Sequence, residues 1–340
     1  MIKSQTLSNN RDHIIVLFLI SVMAIAAIGR VVLTLIGSGE LGGDPGVWQE
    51  MSSTIVSGSA PYVDFPDNKP PLFILLVTFG GILDYYSVMV AAVMIANSII
   101  VWSVYHRLSE EQLPEAGVIA ATMVTVAIIY MMLNYRIINN KAISLAVLLL
   151  TLRSNKSVIL GIGVALSGLL AQQTMVAIPV IIYYWVPTVR RATKFIISGL
   201  ATAGMGYIII GFIWGRDALL AAIDQSLLLI VSYTAGNSDF GRQIPIWGNP
   251  IEWGTSMLDL QQPLIFPAIA SLAGFYYIIN HQATSNRICE AGLLVSFSFL
   301  LLVRPWWHYG YYPLIPLSLL GGYGAVKYIH SRNDGMRSPD

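Results

Sequence analysis

The chain has 340 residues, 55% hydrophobic and 11% charged, with a mean hydropathy of +0.67. Soluble domains carry about 25% charged residues, so this apolar excess needs lipid to cover it and the class is an all-α polytopic membrane protein. A net charge of +1 offers no basic excess for nucleic acid, and a single cysteine, Cys289, excludes an internal disulfide and a cysteine-cluster metal site.

The apolar runs are long and continuous, which argues helices and not the alternating strands of a barrel. The first, 14–36, follows the short basic lead MIKSQTLSNNRDH. It is too long for a signal-peptide core and has no small-residue cleavage site before Gly37, so it reads as a retained first span. Residues 37–86 follow as a first loop. Within them, 71–84 (PLFILLVTFGGILD) is too short to span comfortably and reads as a helix lying along or dipping into the interface. Further spans are expected at 87–105, 117–133, 138–152, 157–171, 174–189, 195–214, 263–280, 288–304 and 311–328, several of them shorter than the ~20 residues of a perpendicular helix. The segment 215–262 joins two of these runs with an amphipathic stretch and a Gly, Pro and Trp-rich loop. Loops of that length are usually functional or disordered. The whole chain, 1–340, reads as a single transmembrane domain of about ten helices.

Sidedness follows from the cations. With 71–84 kept on one side, one face receives Lys3, Arg11, Arg107, Arg153, Lys156, Arg190, Arg191, Lys194, Arg287, Lys327, Arg332 and Arg337. The other keeps Arg30, Lys69, Arg136, Lys141, Arg216, Arg242 and Arg304. The richer face is expected to be cytoplasmic and to hold both termini, in an integral protein of the plasma membrane. Acids run the other way: Glu40, Asp44, Glu50, Asp64, Asp67, Asp84, Asp217, Asp224, Asp239, Glu252 and Asp259 all fall outside. Acids contribute little to topology, so their concentration suggests a polar site on the outer face.

Three stretches carry chemistry. In GGDPGVWQE, Asp44 sits before a proline suited to the first helical position, so it is either a helix cap or a general base at a cavity, and one carboxylate can do both. In APYVDFPDNKPPL, Tyr62, Asp64 and Asp67 belong either to an ordinary polar turn or to a substrate site. Lys69 precedes two prolines that hold its backbone extended and present its ammonium to a phosphate. In LLVRPWWHYGYYPLIPL, the tryptophans and tyrosines suit an aromatic belt, whereas Arg304 and His308 in one turn suit a phosphate beside a sugar ring. Arg136 and Lys141 in NYRIINNK, and the glutamines Gln172 and Gln173 in AQQTMVAIP, are weaker candidates that helix-end solvation also explains. The string GIGVALSG reads as a small-residue packing face, and no Walker loop, dinucleotide fingerprint or His-Glu metal helix is present.

Taken in this order, the motifs resemble the GT-C superfamily of membrane glycosyltransferases, nearest to the family 39-type protein O-mannosyltransferases and the aminoarabinose transferases of lipid A. The likeness rests on the early acid Asp44, on the G-x-x-PY-x-D…KPPL string from Gly58 to Leu72, on LLAQQTMVAIPVII, and on RPWWHYGYYPLIPL. The resemblance implies transfer of a sugar from a polyprenyl-phosphate donor to a lipid, glycan or protein acceptor on the outer face, with inversion. It makes Asp44 the base that activates the acceptor hydroxyl and Lys69 the donor-phosphate ligand, with Arg304 and His308 lining the same cavity. Where many members carry an acid beside the second-loop arginine, this chain has Asn139, Asn140 and Lys141.

A divalent ion shared by carboxylates and phosphate fits such chemistry, but the sequence fixes no ligand set. The remaining partners implied are membrane lipid and a partner membrane protein for acceptor selection. Two further readings stand beside the enzyme: a transporter or flippase of a lipid-linked substrate, and a catalytically silent subunit of a glycosylation complex. Against transport, ionisable residues cluster at helix ends and the halves of the chain do not look alike.

Overall fold

A computed structural model of the protein describes residues 2–37, 44–228, 249–281, 284–303 and 306–335. It is 87% helical and has no strand among the described residues, as an all-α chain requires. In chain order the helices are α1 (Ile2–Gly37), α2 (Asp44–Val56), α3 (Pro71–Leu83), α4 (Tyr85–Ser109), α5 (Pro114–Asn134), α6 (Asn140–Thr151), α7 (Ser157–Leu170), α8 (Ile178–Trp185), α9 (Val189–Trp214), α10 (Arg216–Ile223), α11 (Pro250–Leu260), α12 (Gln262–Asn280), α13 (Ser285–Val303) and α14 (Tyr311–Gly335). Six of these stretches are long and apolar enough to cross a bilayer: 11–34 of α1, α4, α5, α9, α12 and α13. Their outward faces carry bare hydrocarbon, with Phe18 65%, Ile25 69%, Leu200 68% and Phe212 90% exposed. Only lipid can cover such faces, and the protein is an integral membrane protein.

Sequence punctuation sets many of the ends. Proline opens α3 at Pro71 and α5 at Pro114, where a missing N–H costs nothing. The Asn139 side chain accepts from Lys141 N–H at the start of α6, Thr188 does the same for Arg191 at α9, and Asp84 caps α4 through Ser87 N–H at 2.8 Å. The run 174–189 is not one helix: a 3₁₀ turn over Gln172–Ala177 gives way to the eight-residue α8, whose first turn holds Pro179. At twelve and fourteen residues, α6 and α7 are shorter than the ~20 needed to span alone.

The chain forms two compact units, one of residues 1–30, 97–136 and 254–340, the other of 31–96 and 137–253. In the first, α14 packs closely on α12 and α5 through small residues. A Cβ on Gly274 would strike the Leu320 carbonyl, and one on Gly322 the Ala116 carbonyl, so these helices meet backbone to backbone. Cys289 is buried, as a small hydrophobe should be. Beside it lies a closed ion cluster. Arg287, 0% exposed, bridges Glu111 at 2.7 Å and Glu290 at 2.5 Å, Arg107 stands 3.8 Å from Glu290, and the Tyr323 ring lies 4.9 Å from the Arg287 guanidinium. The cluster's formal charges balance, with Arg287 and Glu290 buried and Arg107 and Glu111 partly exposed.

The second unit is built on α2, α3 and α6–α10. Its core gathers Trp48, Met51, Ile55, Tyr62, Phe73, Ile74, Val77, Ile138 and Ile210. The GIGVALSG string is the packing face it resembles: a side chain on Gly161 would meet the Phe195 carbonyl of α9, and one on Gly163 the Thr151 side chain of α6. Ser144 and Ser167 exchange hydrogen bonds with each other's carbonyls at 2.7 and 2.8 Å, pinning α6 to α7 where water is scarce.

Breaking one side of the ion cluster leaves a buried charge uncompensated. Arg287→Met is expected to cost about 3–5 kcal/mol of stability, read as a lowered midpoint of thermal unfolding in detergent. The double variant Arg287→Met/Glu290→Met should recover most of that loss, since Arg107 still faces Glu111 at 4.0 Å.

Candidate functional site

The candidate site lies in the second unit, on the loop between α2 and α3. Gly58, at φ +110°, turns the chain out of α2 with a backbone that side chains rarely adopt. The chain then folds into a tight knot from Ala60 to Phe65. The Asp64 carboxylate accepts from Ala60 N–H at 2.7 Å, its own N–H donates to the Ala60 carbonyl at 2.9 Å, and Tyr62 N–H donates to the Phe65 carbonyl at 3.1 Å. Tyr62 itself sits at φ +68°, in the left-handed region, which is strained for a residue with a Cβ. Its ring holds it there: it is 1% exposed, and its hydroxyl donates to the Lys69 carbonyl at 2.7 Å. Burial, with the charge of Asp67, pushes the Tyr62 phenol well above its ordinary range, so it stays protonated as a donor.

A second element fixes the loop from outside. After α10 the helix widens into a π turn over Asp224–Leu228, a feature often found at functional sites. The amide of Gln225 donates to the Tyr62 carbonyl at 2.6 Å and accepts from Asp67 N–H at 3.0 Å, spanning the loop with one side chain. Gln172, from the 3₁₀ turn, donates to the Asn68 carbonyl and to the Ser226 carbonyl, both at 2.9 Å. Ser226 in turn pairs with the Tyr207 hydroxyl at 3.0 Å. The irregular backbone of residues 62–69 thus finds partners within the protein, which an apolar medium requires.

The clamp presents Lys69. Its N–H donates to the Asp67 carboxylate at 3.0 Å, and its ammonium lies 2.9 Å from Asn68 Oδ1, 3.5 Å from Asp67 Oδ1 and 5.6 Å from the centre of the Trp48 ring. Pro70 is extended and Pro71 opens α3, so Lys69 stays out of that helix, as the double proline predicts. Asp44 opens α2 and is exposed, with Pro45 buried behind it; a carboxylate there is favoured by the helix dipole. From α6 comes Lys141, 5% exposed, its ammonium 2.7 Å from Asn140 Oδ1. The Trp48 ring that faces Lys69 lies one helical turn along α2 from Asp44.

Of the residues expected from sequence, Asp44, Tyr62, Asp64, Asp67 and Lys69 all belong to this unit. Asp64 closes the turn and is exposed, whereas Asp67 touches Lys69. Gln173 is half-buried in the 3₁₀ turn, but its neighbour Gln172 makes the bond to the loop. Arg136 and His308 belong to the other unit. There Arg136 is half-buried just past α5, and His308 is 9% exposed in the turn before α14, edge-on to Trp306 and Tyr309 at 5.3 and 4.7 Å. Arg304 lies outside the described residues. Sequence reading misses Gln225 as a site member and gives Gln172 and Lys141 only as weaker candidates at helix ends. The only local sign is a polar residue breaking an apolar run, and for Lys141 an Asn-Lys pair like Asn68–Lys69.

Among the described residues no group of three or more His, Cys, Asp or Glu side chains gathers to hold a metal ion. The carboxylates near Lys69 face lysines instead, a donor set that suits an anion better than a divalent cation.

Gln225→Glu keeps the acceptor for Asp67 N–H and removes the donor to the Tyr62 carbonyl. Leaving that carbonyl unpaired costs about 1–3 kcal/mol. Faster amide hydrogen exchange is expected at Tyr62 and Asp67, with the helices of the unit unchanged. Equal protection in the variant would mean that Gln225 does not hold the loop.

No family model matches the chain and no curated protein is significantly similar to it, so the reading of the site rests on its own residues.

Proposed function

We propose that the protein is a membrane glycosyltransferase of GT-C-like architecture with about ten spans, moving a sugar from a polyprenyl-phosphate donor to an acceptor hydroxyl on the outer face, with both termini in the cytoplasm. The observation that carries this reading is the clamped loop that holds the Lys69 ammonium 5.6 Å from the ring of Trp48, one turn along α2 from Asp44, at the edge of an apolar unit. A rigid cation beside a carboxylate suits a reaction that releases a phosphate and takes up a proton. The surroundings suit a lipid-linked donor as well. A groove of about 350 Å³ opens among Leu72, Leu75, Leu166, Leu169, Met205 and Ile209, three residues beyond Lys69. Its apolar walls suit an isoprenoid chain.

In this mechanism Lys69 binds the donor phosphate and offsets the charge that develops as the bond from the anomeric carbon to the phosphate oxygen breaks. Asp44 accepts the proton of the acceptor hydroxyl as its oxygen attacks from the opposite face, so the anomeric centre inverts. Asp67 and Asn68 hold the ammonium in place, and Asp64 shapes the turn. Their roles differ because Asp67 touches Lys69, whereas Asp64 bonds only to backbone.

Purified protein supplied with labelled polyprenyl-phosphate sugar and an acceptor mixture tests the reading. Asp44→Asn should fold normally and lose transfer by ~10²–10⁴-fold, the usual weight of a general base; an Asn variant of full activity would remove Asp44 from the chemistry. Lys69→Ala should raise the apparent KM for donor by about 10-fold or more, as loss of a charge-assisted phosphate contact does. Unchanged donor kinetics would take the phosphate away from Lys69.

A further inference from the structure

The end of the second unit away from the Lys69 loop carries a cluster of cations. Lys156 precedes α7, and Arg190, Arg191 and Lys194 lie in the first two turns of α9; all are exposed. The fold gathers them. Ser198 Oγ donates to the Val158 carbonyl at 3.2 Å, and a Cβ on Gly161 would strike the Phe195 carbonyl, so the opening turns of α7 and α9 lie side by side. The indole N–H of Trp185 donates to the Leu152 carbonyl at 3.0 Å, which ties the chain before α9 to the loop that holds Arg153 and Lys156. At the other end, Gln172 just beyond α7 reaches the Asn68 carbonyl, and Tyr207 of α9 pairs with Ser226. The stretch of α9 from Lys194 to Tyr207 is about 20 Å long, and α9 is long and apolar enough to cross a bilayer. The cations and the Lys69 loop therefore face opposite membrane surfaces.

Two properties of the cluster point to a ligand. Its charges are not met from within: no aspartate or glutamate occurs between Glu115 and Asp217, and among the described residues none of Lys156, Arg190, Arg191 and Lys194 is in an ion pair. In the first unit, by contrast, Arg107 and Arg287 meet Glu111 and Glu290. Gathered like charges repel, and the first turn of a helix favours acids, where α9 has Arg190 and Arg191 and no acid. Membrane orientation asks for cations near span ends, but acids contribute little to it, so orientation does not explain why acids are missing. The second property is the border of the patch. Hydrocarbon begins where the cations end, with Val158, Ile159, Ile196 and Ile197 all exposed, the last by 62%. An acidic protein segment matches the cations alone, whereas a phospholipid matches both the cations and the hydrocarbon.

We infer that Lys156, Arg190, Arg191 and Lys194 form a binding site for anionic phospholipid headgroups in the leaflet opposite the Lys69 loop. The headgroup phosphate meets the cations, and the acyl chains lie along the exposed faces of α7 and α9. Clusters of Lys and Arg beside a span attract anionic lipid in this way. The inference is independent of the transferase reading, because it uses none of the residues placed in that mechanism.

The test uses the full chain in a non-ionic detergent, where both ends are accessible and the result does not depend on how a variant inserts. Phosphatidylglycerol is compared with phosphatidylcholine of the same acyl chains, each labelled at the chain end, and binding is read by energy transfer from tryptophan. In 0.1 M salt the wild-type protein is expected to bind phosphatidylglycerol at least about 10-fold more tightly. In 1 M salt, where the screening length falls from about 10 Å to about 3 Å, the ratio should drop to within about 3-fold. The variant Lys156→Gln/Arg190→Gln/Arg191→Gln/Lys194→Gln should show the same small ratio at 0.1 M salt, and Arg190→Lys/Arg191→Lys should keep the preference. Exposed substitutions of this kind usually leave stability unchanged, and the unfolding midpoint checks it. Lys327→Gln/Arg332→Gln, which removes cations of the first unit, should also keep the preference.

A wild-type ratio near one at low salt overturns the inference, as does a ratio that survives the quadruple variant. Equal loss in Lys327→Gln/Arg332→Gln overturns it too, because the preference then belongs to cations at large and not to this patch. Two competitors complete the test. If inorganic phosphate displaces labelled phosphatidylglycerol at equal concentration, the patch serves free phosphate and the lipid assignment falls. If an oligoglutamate peptide binds more tightly than phosphatidylglycerol, the occupant is an acidic protein segment and the assignment falls as well.

Discussion

Everything the candidate site offers depends on one side-chain amide. Residues 62–69 have no helical ladder to occupy their backbone groups, and unpaired N–H and C=O groups are expensive away from water. Gln225 addresses the two ends of the stretch at once, donating to the Tyr62 carbonyl and accepting from Asp67 N–H. An amide is the one side-chain group that presents a donor and an acceptor side by side at neutral pH without a charge. The π turn matters for the same reason, because the wider coil carries Gln225 and Ser226 together, and Ser226 ties to Gln172 and Tyr207. The strained Tyr62 is then held from three sides, and Lys69 inherits a fixed place.

The two units use charge in opposite ways. In the unit of α5, α12, α13 and α14, Arg287, Glu111, Glu290 and Arg107 form one run of ion pairs. Such a cluster locks helices together and has little to offer a ligand. In the unit of α2, α3 and α6, two lysines each meet the oxygen of the asparagine before them, and Lys69 also lies 3.5 Å from the Asp67 carboxylate at a loop near the surface.

Much of this was legible from the residues alone, and the limits have physical causes. Hydropathy locates the long helices among the described residues because lipid demands continuous apolar sequence, and the double proline after Lys69 announces the start of α3. The glycine string was read as a packing face because small residues are what let α7 approach α9. The short α6 and α7, and the break between the 3₁₀ turn and α8, were harder, since an apolar run says nothing about where its pitch changes. Within the site, the loop residues were visible because charge and proline stand out in an apolar chain. Gln225 is not, because a glutamine that bonds a distant carbonyl looks like any other polar residue. The Gln172–Gln173 pair stands out, but which of the two reaches the loop depends on the rotation of about 100° between neighbours in a helical turn.

The clamp also imposes an order in time. Tyr62 and Gln225 are 163 residues apart in the chain, and synthesis proceeds at about 5–20 residues per second, so roughly 8–30 s separate the making of the loop from the making of its lock. During that interval α2 and α3 already exist, while the Tyr62 carbonyl and the Asp67 N–H still lack their partner. The most ordered piece of the candidate site is therefore among the last parts of its unit to settle, and a nascent chain halted before Gln225 would carry Lys69 on a loop that nothing yet holds.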